Sequence, residues 1–487
     1  MTALKTHTSR RHFLRACSAL SGVAAAQQFS APLAVSLAGL GAMAAQNSAV
    51  AANTSAPYKA LVCLFMQGGS DMHNWVVPTD TTGYADYAAV RRELAWQRAN
   101  LASIASPGQT SGRSFGMPLE LGPLRNWYDA GQAAVLANVG PLVRPTSRAE
   151  FETSTNLPAS LFSHNDQSST WQSLAPEGAR SGWGGRMGDL LMSANQQPSF
   201  TAISATGNAV FLSGSEVTQY QVGLDGPVSV RALTGYAPFS SSGAPAALAR
   251  TLANTGAGDI AAKAAVDNRL QSEYSRVLQR SIASSALLQT ALASTNVPTI
   301  ANSEIVPGGG ATLDRDSLAR QLRMVARLIA AGQSLGMRRQ VFMVGIGGFD
   351  SHANQMRDQP VLMARVAQSV NYFLSSLNTL GMLNNVTLFT ASEFGRTLSS
   401  NGAGSDHGWG SHHLIAGGAV KGRDIYGRFP ITALGTADDV GSGRLLPSTS
   451  VTQYAATLGT WMGLSNSELA TVLPNLGNFS MGGLNFM

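Results

Sequence analysis

Ala60-Leu61-Val62-Cys63-Leu64-Phe65-Met66 runs straight into Gln67-Gly68-Gly69-Ser70-Asp71, an apolar stretch closing on two glycines, a hydroxyl and an acid. An apolar run without polar alternation fits a strand covered on both faces, as in the middle of a parallel sheet. Residues 133–139, after a turn at Asp129-Ala130-Gly131, and residues 340–346 and 385–390 repeat the pattern. Helical periodicity fills residues 318–335 and 356–380 between these runs. Strands alternating with helices predict βαβ units and a layered α/β fold. Residues 180–310 read differently: Gly and Ser punctuate short strand-like pieces at 200–203 and 209–212, and a long helix is expected over 260–293. This region is expected to be an insertion or cap over the sheet. The tail from residue 435 holds one clear helix, 451–462.

The other end of the chain carries an address. Ser9-Arg10-Arg11-His12-Phe13-Leu14-Arg15 opens a segment rich in Ala, Leu, Ser and Gly that reaches Ala45, with no acid before Asp71. A charged n-region with paired arginines, a modest apolar stretch and the small residues Ala42-Met43-Ala44-Ala45 form a twin-arginine signal peptide over residues 1–45. Cleavage is expected after Ala44 or Ala45, with Ala51-Ala52 as the second choice. Residues 46–487 are then a single α/β domain with its insertion at 180–310, working in the periplasm or outside the cell. Gln27, Gln28, Ser30 and Pro32 interrupt the apolar stretch before it reaches the ~20 residues of a spanning helix. Arg15, two places before Cys17, argues against a lipid anchor.

Of the formal charge of +6, four units belong to Lys5, Arg10, Arg11 and Arg15, leaving +2 beyond the signal. A near-neutral chain without a basic cluster gives no reason to expect nucleic acid as a partner. The expected partners are the twin-arginine translocase and a small anionic ester. Cys63 is the only cysteine beyond the signal, so no internal disulfide can form.

Polar residues collect where the strands end, which is where open parallel sheets build their sites. The first strand leads into Gly68-Gly69-Ser70-Asp71-Met72-His73, the third into Gly347-Gly348-Phe349-Asp350-Ser351-His352, and the fourth into Ser392-Glu393-Phe394-Gly395-Arg396-Thr397. A further loop reads Gly404-Ser405-Asp406-His407-Gly408-Trp409-Gly410-Ser411-His412-His413. Five of the eight histidines lie in these loops, each near a carboxylate or another histidine. Imidazole with carboxylate suits zinc, manganese or iron, whereas oxygen ligands alone suit calcium or magnesium. Asp71 also stands where a helix cap would, and Glu393 where an acid buried against Arg396 would. Because a strand is expected to begin at Leu414, one of His412 and His413 is expected to point away from any site.

The runs Leu64-Phe65-Met66-Gln67-Gly68-Gly69-Ser70-Asp71, Gly347-Gly348-Phe349-Asp350-Ser351-His352, Ser392-Glu393-Phe394-Gly395-Arg396-Thr397 and Asp406-His407-Gly408, with Gly417-Gly418 after them, resemble domain-of-unknown-function family 1501. Its members typically carry twin-arginine signals, and the family is similar to the alkaline phosphatase and sulfatase superfamily. The resemblance implies an alkaline-phosphatase-like, doubly wound, mostly parallel sheet flanked by helices. It also implies one or two divalent ions and a Ser or Thr nucleophile at a helix N-terminus attacking a phosphate or sulfate ester. By position it makes Asp71, Asp350, His352, Glu393 and His407 metal residues, with His73, Asp406 and His412 as further candidates and zinc, manganese, iron or calcium as the ion. Ser392-Glu393 stands where that superfamily has an Asp-His pair, which removes an imidazole and leaves room for a single metal. Ser163, expected at the N-cap of a helix, is the candidate nucleophile, with His164 beside it to bind substrate or exchange protons. No Cys-x-Pro-x-Arg or Ser-x-Pro-x-Arg sequence is present, which argues against a formylglycine mechanism. The function expected is an exported metal-dependent hydrolase of phosphate or sulfate esters. The alternative is a non-catalytic ligand- or polymer-binding or assembly protein at the cell surface, on the same fold.

Overall fold

The computed structural model describes residues 57–153, 156–227, 269–480 and 484–487; the expected signal and the first part of the expected 260–293 helix lie outside them. The first apolar run is β1 (Lys59–Met66), and the second is β2 (Ala133–Gly140). Three short strands follow, β3 (Ala202–Ser204), β4 (Tyr220–Gly223) and β5 (Gly226–Pro227). The remaining apolar runs are β6 (Arg339–Ile346) and β7 (Val386–Ala391), and after them come β8 (Ser411–Ala416), β9 (Ile425–Tyr426) and β10 (Thr449–Ser450). Together they form a ten-stranded sheet in the order β9-β2-β8-β7-β1-β6-β3-β4-β5, with β10 also on β2. β1 pairs in parallel with β6 on one side and β7 on the other, whereas β8 runs antiparallel between β7 and β2. The mostly parallel α/β sheet expected from the apolar runs is therefore the observed architecture.

Strand pleating sends alternate side chains to opposite faces, and β1 shows the result. Ala60, Val62, Leu64 and Met66 join a core with Leu322, Val325, Val366 and Phe373. Leu61, Cys63 and Phe65 join a second core with Trp171, Trp183, Tyr454 and Leu458. Helices thus cover both faces, which is why β1 has no polar position. The first layer is supplied by α3 (Ser317–Ala331) and α4 (Gln355–Thr379), the second in part by α2 (His164–Ser173) and α5 (Val451–Met462); α1 (Thr81–Arg91) lies beyond the end of β1. Helix starts follow local chemistry: Asp316 accepts from the Leu318 and Ala319 amides, and Ser450 with Gln453 forms a capping box.

Of the 180–310 region, the structure describes residues 180–227 and 269–310. Its β3 pairs in parallel with β6 and its β4 with β3, so this part extends the sheet rather than covering it. Residues 209–212, expected as a strand, hold instead a single 3-10 turn at Val210–Leu212, and the long helix is observed over Arg269–Ala293. Residues Pro57–Met487 form one compact unit. Among the described residues, no helix is long and apolar enough to cross a membrane.

Candidate functional site

Because β7, β1 and β6 are neighbours and parallel, their carboxyl ends place the 67–74, 347–354 and 392–395 loops side by side. The close approach requires glycine. Gly68 (φ +117°) has the Asp350 backbone nitrogen 2.3 Å from where a Cβ would stand, and Gly69 (φ +79°) has the Phe394 ring at 2.1 Å. A hairpin of Arg396–Ser400 and Ser405–His407 brings in the fourth motif.

The side chains that meet there are Asp350, His352, His407 and His164. Each of the three imidazoles turns one nitrogen outward to a fixed acceptor and the other inward. His164 Nδ1 lies 3.0 Å from Glu393 Oε1, His352 Nδ1 3.2 Å from Asp406 Oδ1, and His407 Nδ1 2.8 Å from the Phe162 carbonyl. These acceptors assign the ring proton to Nδ1 in all three residues. In the neutral form of each ring the inward Nε2 atom carries a lone pair; these atoms stand 3.6, 3.1 and 3.4 Å from the Asp350 carboxylate for His164, His352 and His407 respectively. The Nε2 atoms of His352 and His407 are 2.9 Å apart. His164, Asp350 and His407 offer ligand atoms all within 4.8 Å of one another. Lone pairs and a carboxylate facing each other at these distances repel unless a cation or proton sits among them, and this donor set fits a divalent metal.

The surroundings bias Asp350 and His407 toward the forms that metal ligation would need. Burial alone would raise the Asp350 carboxyl, but the hydrogen bond and charge of Arg396, backed by His352 and His164, hold it below the ordinary carboxylate range. Arg396 is fully buried and donates to Asp350 Oδ1 at 2.8 Å and to the Gly68 carbonyl at 2.9 Å. Burial lowers the His407 imidazole; the Phe162 carbonyl opposes this, and Arg396 with the two neighbouring imidazoles adds to it. Phe394 forms an apolar floor, its ring centroid 4.9 Å from that of His164 and 4.6 Å from that of His407. The rim is open: the side chains of Asp350 and His352 are 47% and 45% exposed.

Three expected ligands are placed elsewhere. Asp71 is buried, its Oδ2 taken by Arg91 and Gln355 and its carbonyl by Gln359 at 2.7 Å. An arginine reaching in from α1 already neutralises it. His73 is buried with Nε2 at 3.0 Å from the Arg396 carbonyl, and burial lowers it to about 4. His412 lies inside the fold, stacked on Phe429 with its Nδ1 accepting from the Asn138 amide at 3.2 Å. Glu393 and Asp406 belong to the site, but they meet the outer nitrogens of His164 and His352 rather than the inner face. Arg396 pairs with Asp350 and not with Glu393. Ser163 is at the N-cap of α2 as expected, yet its side chain makes no capping bond. His164, expected beside it as a substrate or proton residue, has its ring in the cluster. Sequence reading missed Phe162, whose contribution is a backbone carbonyl held by a left-handed turn at φ +72°, and Arg91, which no motif marks.

Residues 58–473 match the family described as "Protein of unknown function (DUF1501)". The chain belongs to this family. No curated protein matches. Among solved structures, this DUF1501 chain is similar to the lipoteichoic acid synthase LtaP from Listeria monocytogenes, at 7% identity and TM-score 0.34, over 87% of this chain and 77% of that one. It is also similar to Ps i-CgsB in complex with k-i-k-neocarrahexaose, at 12% identity and TM-score 0.30, over the same shares.

Proposed function

We propose that this DUF1501 chain is a metal-dependent hydrolase of phosphate or sulfate esters, exported by the twin-arginine translocase and working in the periplasm or outside the cell. The observation that carries the proposal is the set of three imidazoles, each anchored at Nδ1, that turn Nε2 toward one ionised carboxylate. Asp350, His164 and His407 would hold one divalent ion, with His352 beside them, and their mixed nitrogen and oxygen donors suit zinc, manganese or iron better than calcium. When bound, such an ion stabilises negative charge on a transferring group and lowers the pKa of an oxygen nucleophile. Arg396 holds the Asp350 carboxylate in place and ionised. The open rim leaves access for substrate, as a reactive site requires and a purely structural metal site does not. Ser163, one residue before His164 and not engaged as a cap, is the hydroxyl assigned as nucleophile. An anionic ester would also meet the positive end of α2 there.

The test is elemental analysis of the purified mature protein, paired with turnover of p-nitrophenyl phosphate and p-nitrophenyl sulfate. About one divalent ion per chain and hydrolysis of either ester are expected. Asp350→Ala and His407→Ala should each abolish bound metal, and Ser163→Ala should abolish turnover while keeping the metal. A metal-free wild-type protein inert toward both esters sinks the proposal and favours a ligand- or polymer-binding role for the same cleft.

A further inference from the structure

We infer that Glu393 is a positioning residue, one that fixes the tautomer of His164 and ties that imidazole to the Gly68-Gly69 turn. The inference rests on the metal reading above and adds a role for a residue that stays off the inner face of the site. Glu393 is a buried acid, its side chain 5% exposed, and among the described residues its ionic partner is His164. Arg396, three residues on, is directed to Asp350, to the Gly68 carbonyl and to the Ser405 carbonyl. A buried carboxylate without a cation is costly, so Glu393 depends on the hydrogen bonds its oxygens accept, the Ser392 hydroxyl lying 3.3 Å from Oε2. Its Oε1 accepts twice, from His164 Nδ1 at 3.0 Å and from the Gly68 amide at 2.7 Å. Ser392, beside it, clamps the same turn by accepting from the Ser70 amide at 2.9 Å and donating to the Met66 carbonyl at 2.7 Å. One carboxylate oxygen therefore decides two things at once: which ring nitrogen of His164 keeps the proton, and how far the end of β1 stands from α2. A carboxylate behind a ligating imidazole also makes the inner nitrogen a stronger donor.

The experiment compares wild type, Glu393→Gln and Glu393→Ala in two measurements on the mature protein. The first is the nitrogen NMR of metal-free protein labelled at histidine, with His164→Gln used to assign the signal. Wild type and Glu393→Gln, whose amide oxygen still accepts, should show His164 protonated at Nδ1, and Glu393→Ala should show mixed tautomers. The second is titration with cobalt(II), read by its visible absorption. Glu393→Ala should bind about 10- to 100-fold more weakly than wild type, with Glu393→Gln in between. An unchanged His164 tautomer in Glu393→Ala overturns the inference, as does an unchanged cobalt affinity. Cobalt binding abolished in Glu393→Ala to the degree seen in Asp350→Ala also overturns it, because Glu393 would then be a ligand. The tautomer measurement needs no metal, so failure of wild type to bind cobalt refutes the metal reading separately. If Glu393→Ala does not fold, mixed His164 tautomers in Glu393→Gln, whose amide oxygen still accepts, overturn the inference alone.

Discussion

Replacing Arg91 with methionine is expected to destabilise the folded chain by about 3–5 kcal/mol, the range for removing one member of a buried ion pair. Both side chains of the Arg91–Asp71 pair are fully buried, so water cannot re-enter to solvate the orphaned carboxylate. Arg91 Nη1 also donates to the carbonyls of Thr397, at 3.0 Å, and Leu398, at 3.3 Å. Those carbonyls lie on the hairpin that carries His407, and losing their donors adds about 1 kcal/mol each at most. Methionine fills much of the volume, so the cavity term is small. Asp71→Asn keeps an acceptor for Gln355 and removes the charge, and it is expected to cost less than the arginine substitution. Because the two residues are in contact, the double variant Arg91→Met with Asp71→Asn should recover about 1–3 kcal/mol relative to the sum of the singles. Urea denaturation of the four proteins measures this cycle. Metal analysis of the same samples separates the two roles open to Asp71, for a staple leaves metal content near wild type and a ligand does not. An Arg91→Met cost below about 1 kcal/mol, or loss of metal in Asp71→Asn at unchanged stability, refutes the reasoning.

Acid should weaken the fold through its buried imidazoles. Burial lowers His73 to about 4 and His413 to about 3, so below the ordinary value near 6.5 the unfolded chain takes up protons that the folded chain refuses. Stability is full above pH 6.5 and falls by about 1.4 kcal/mol per pH unit for each of the two between there and pH 4; a urea midpoint that stays flat from pH 7 to pH 5 contradicts this. Gly69→Ala places a methyl group 2.1 Å from the Phe394 ring at φ +79°. It should cost about 1–3 kcal/mol in backbone strain alone and weaken metal binding by shifting the floor under His164 and His407, whereas a variant with wild-type melting and metal affinity would show that the turn has slack. Arg10→Lys combined with Arg11→Lys should leave the protein in the cytoplasm with its signal uncleaved, as cell fractionation would reveal; normal export would mean that the pair is not the address.

The strands were legible because their signal is local. Residues 60–66, 340–346 and 385–390 are apolar on both faces, and no other common element asks for that in a run so short. The helices between them were legible by period, and the strand-end rule points to Asp350, His352, Glu393 and His407, but equally to Asp71 and His73. What a sequence does not display is which atoms of neighbouring loops compete for a charge. Asp71 sits in the same kind of Gly-Gly turn as Asp350, yet Arg91 from α1 reaches the first and Arg396 from the hairpin reaches the second. Arg91 seals Asp71 inside the protein, while Arg396 approaches Asp350 from its buried side and leaves the carboxylate 47% exposed toward three imidazoles. The difference is one of burial, set by helices and turns 20 or more positions away along the chain.

His164 shows the same limit from the other side. It lies far from the four motifs in sequence, in a stretch that reads as a helix start, and a residue there is open to several roles. Its part in the cluster depends on α2 packing against the β7 end so that Nδ1 meets Glu393, and on the left-handed Phe162 turn that sends a carbonyl to His407. Neither contact has a composition or a period that could announce it. The turn and the helix start are consecutive residues, so one short segment fixes two of the three imidazoles. The 162–164 segment is therefore where the cluster is most exposed to small changes: a shift of α2 would move His164 off Glu393 and withdraw the Phe162 carbonyl from His407 together.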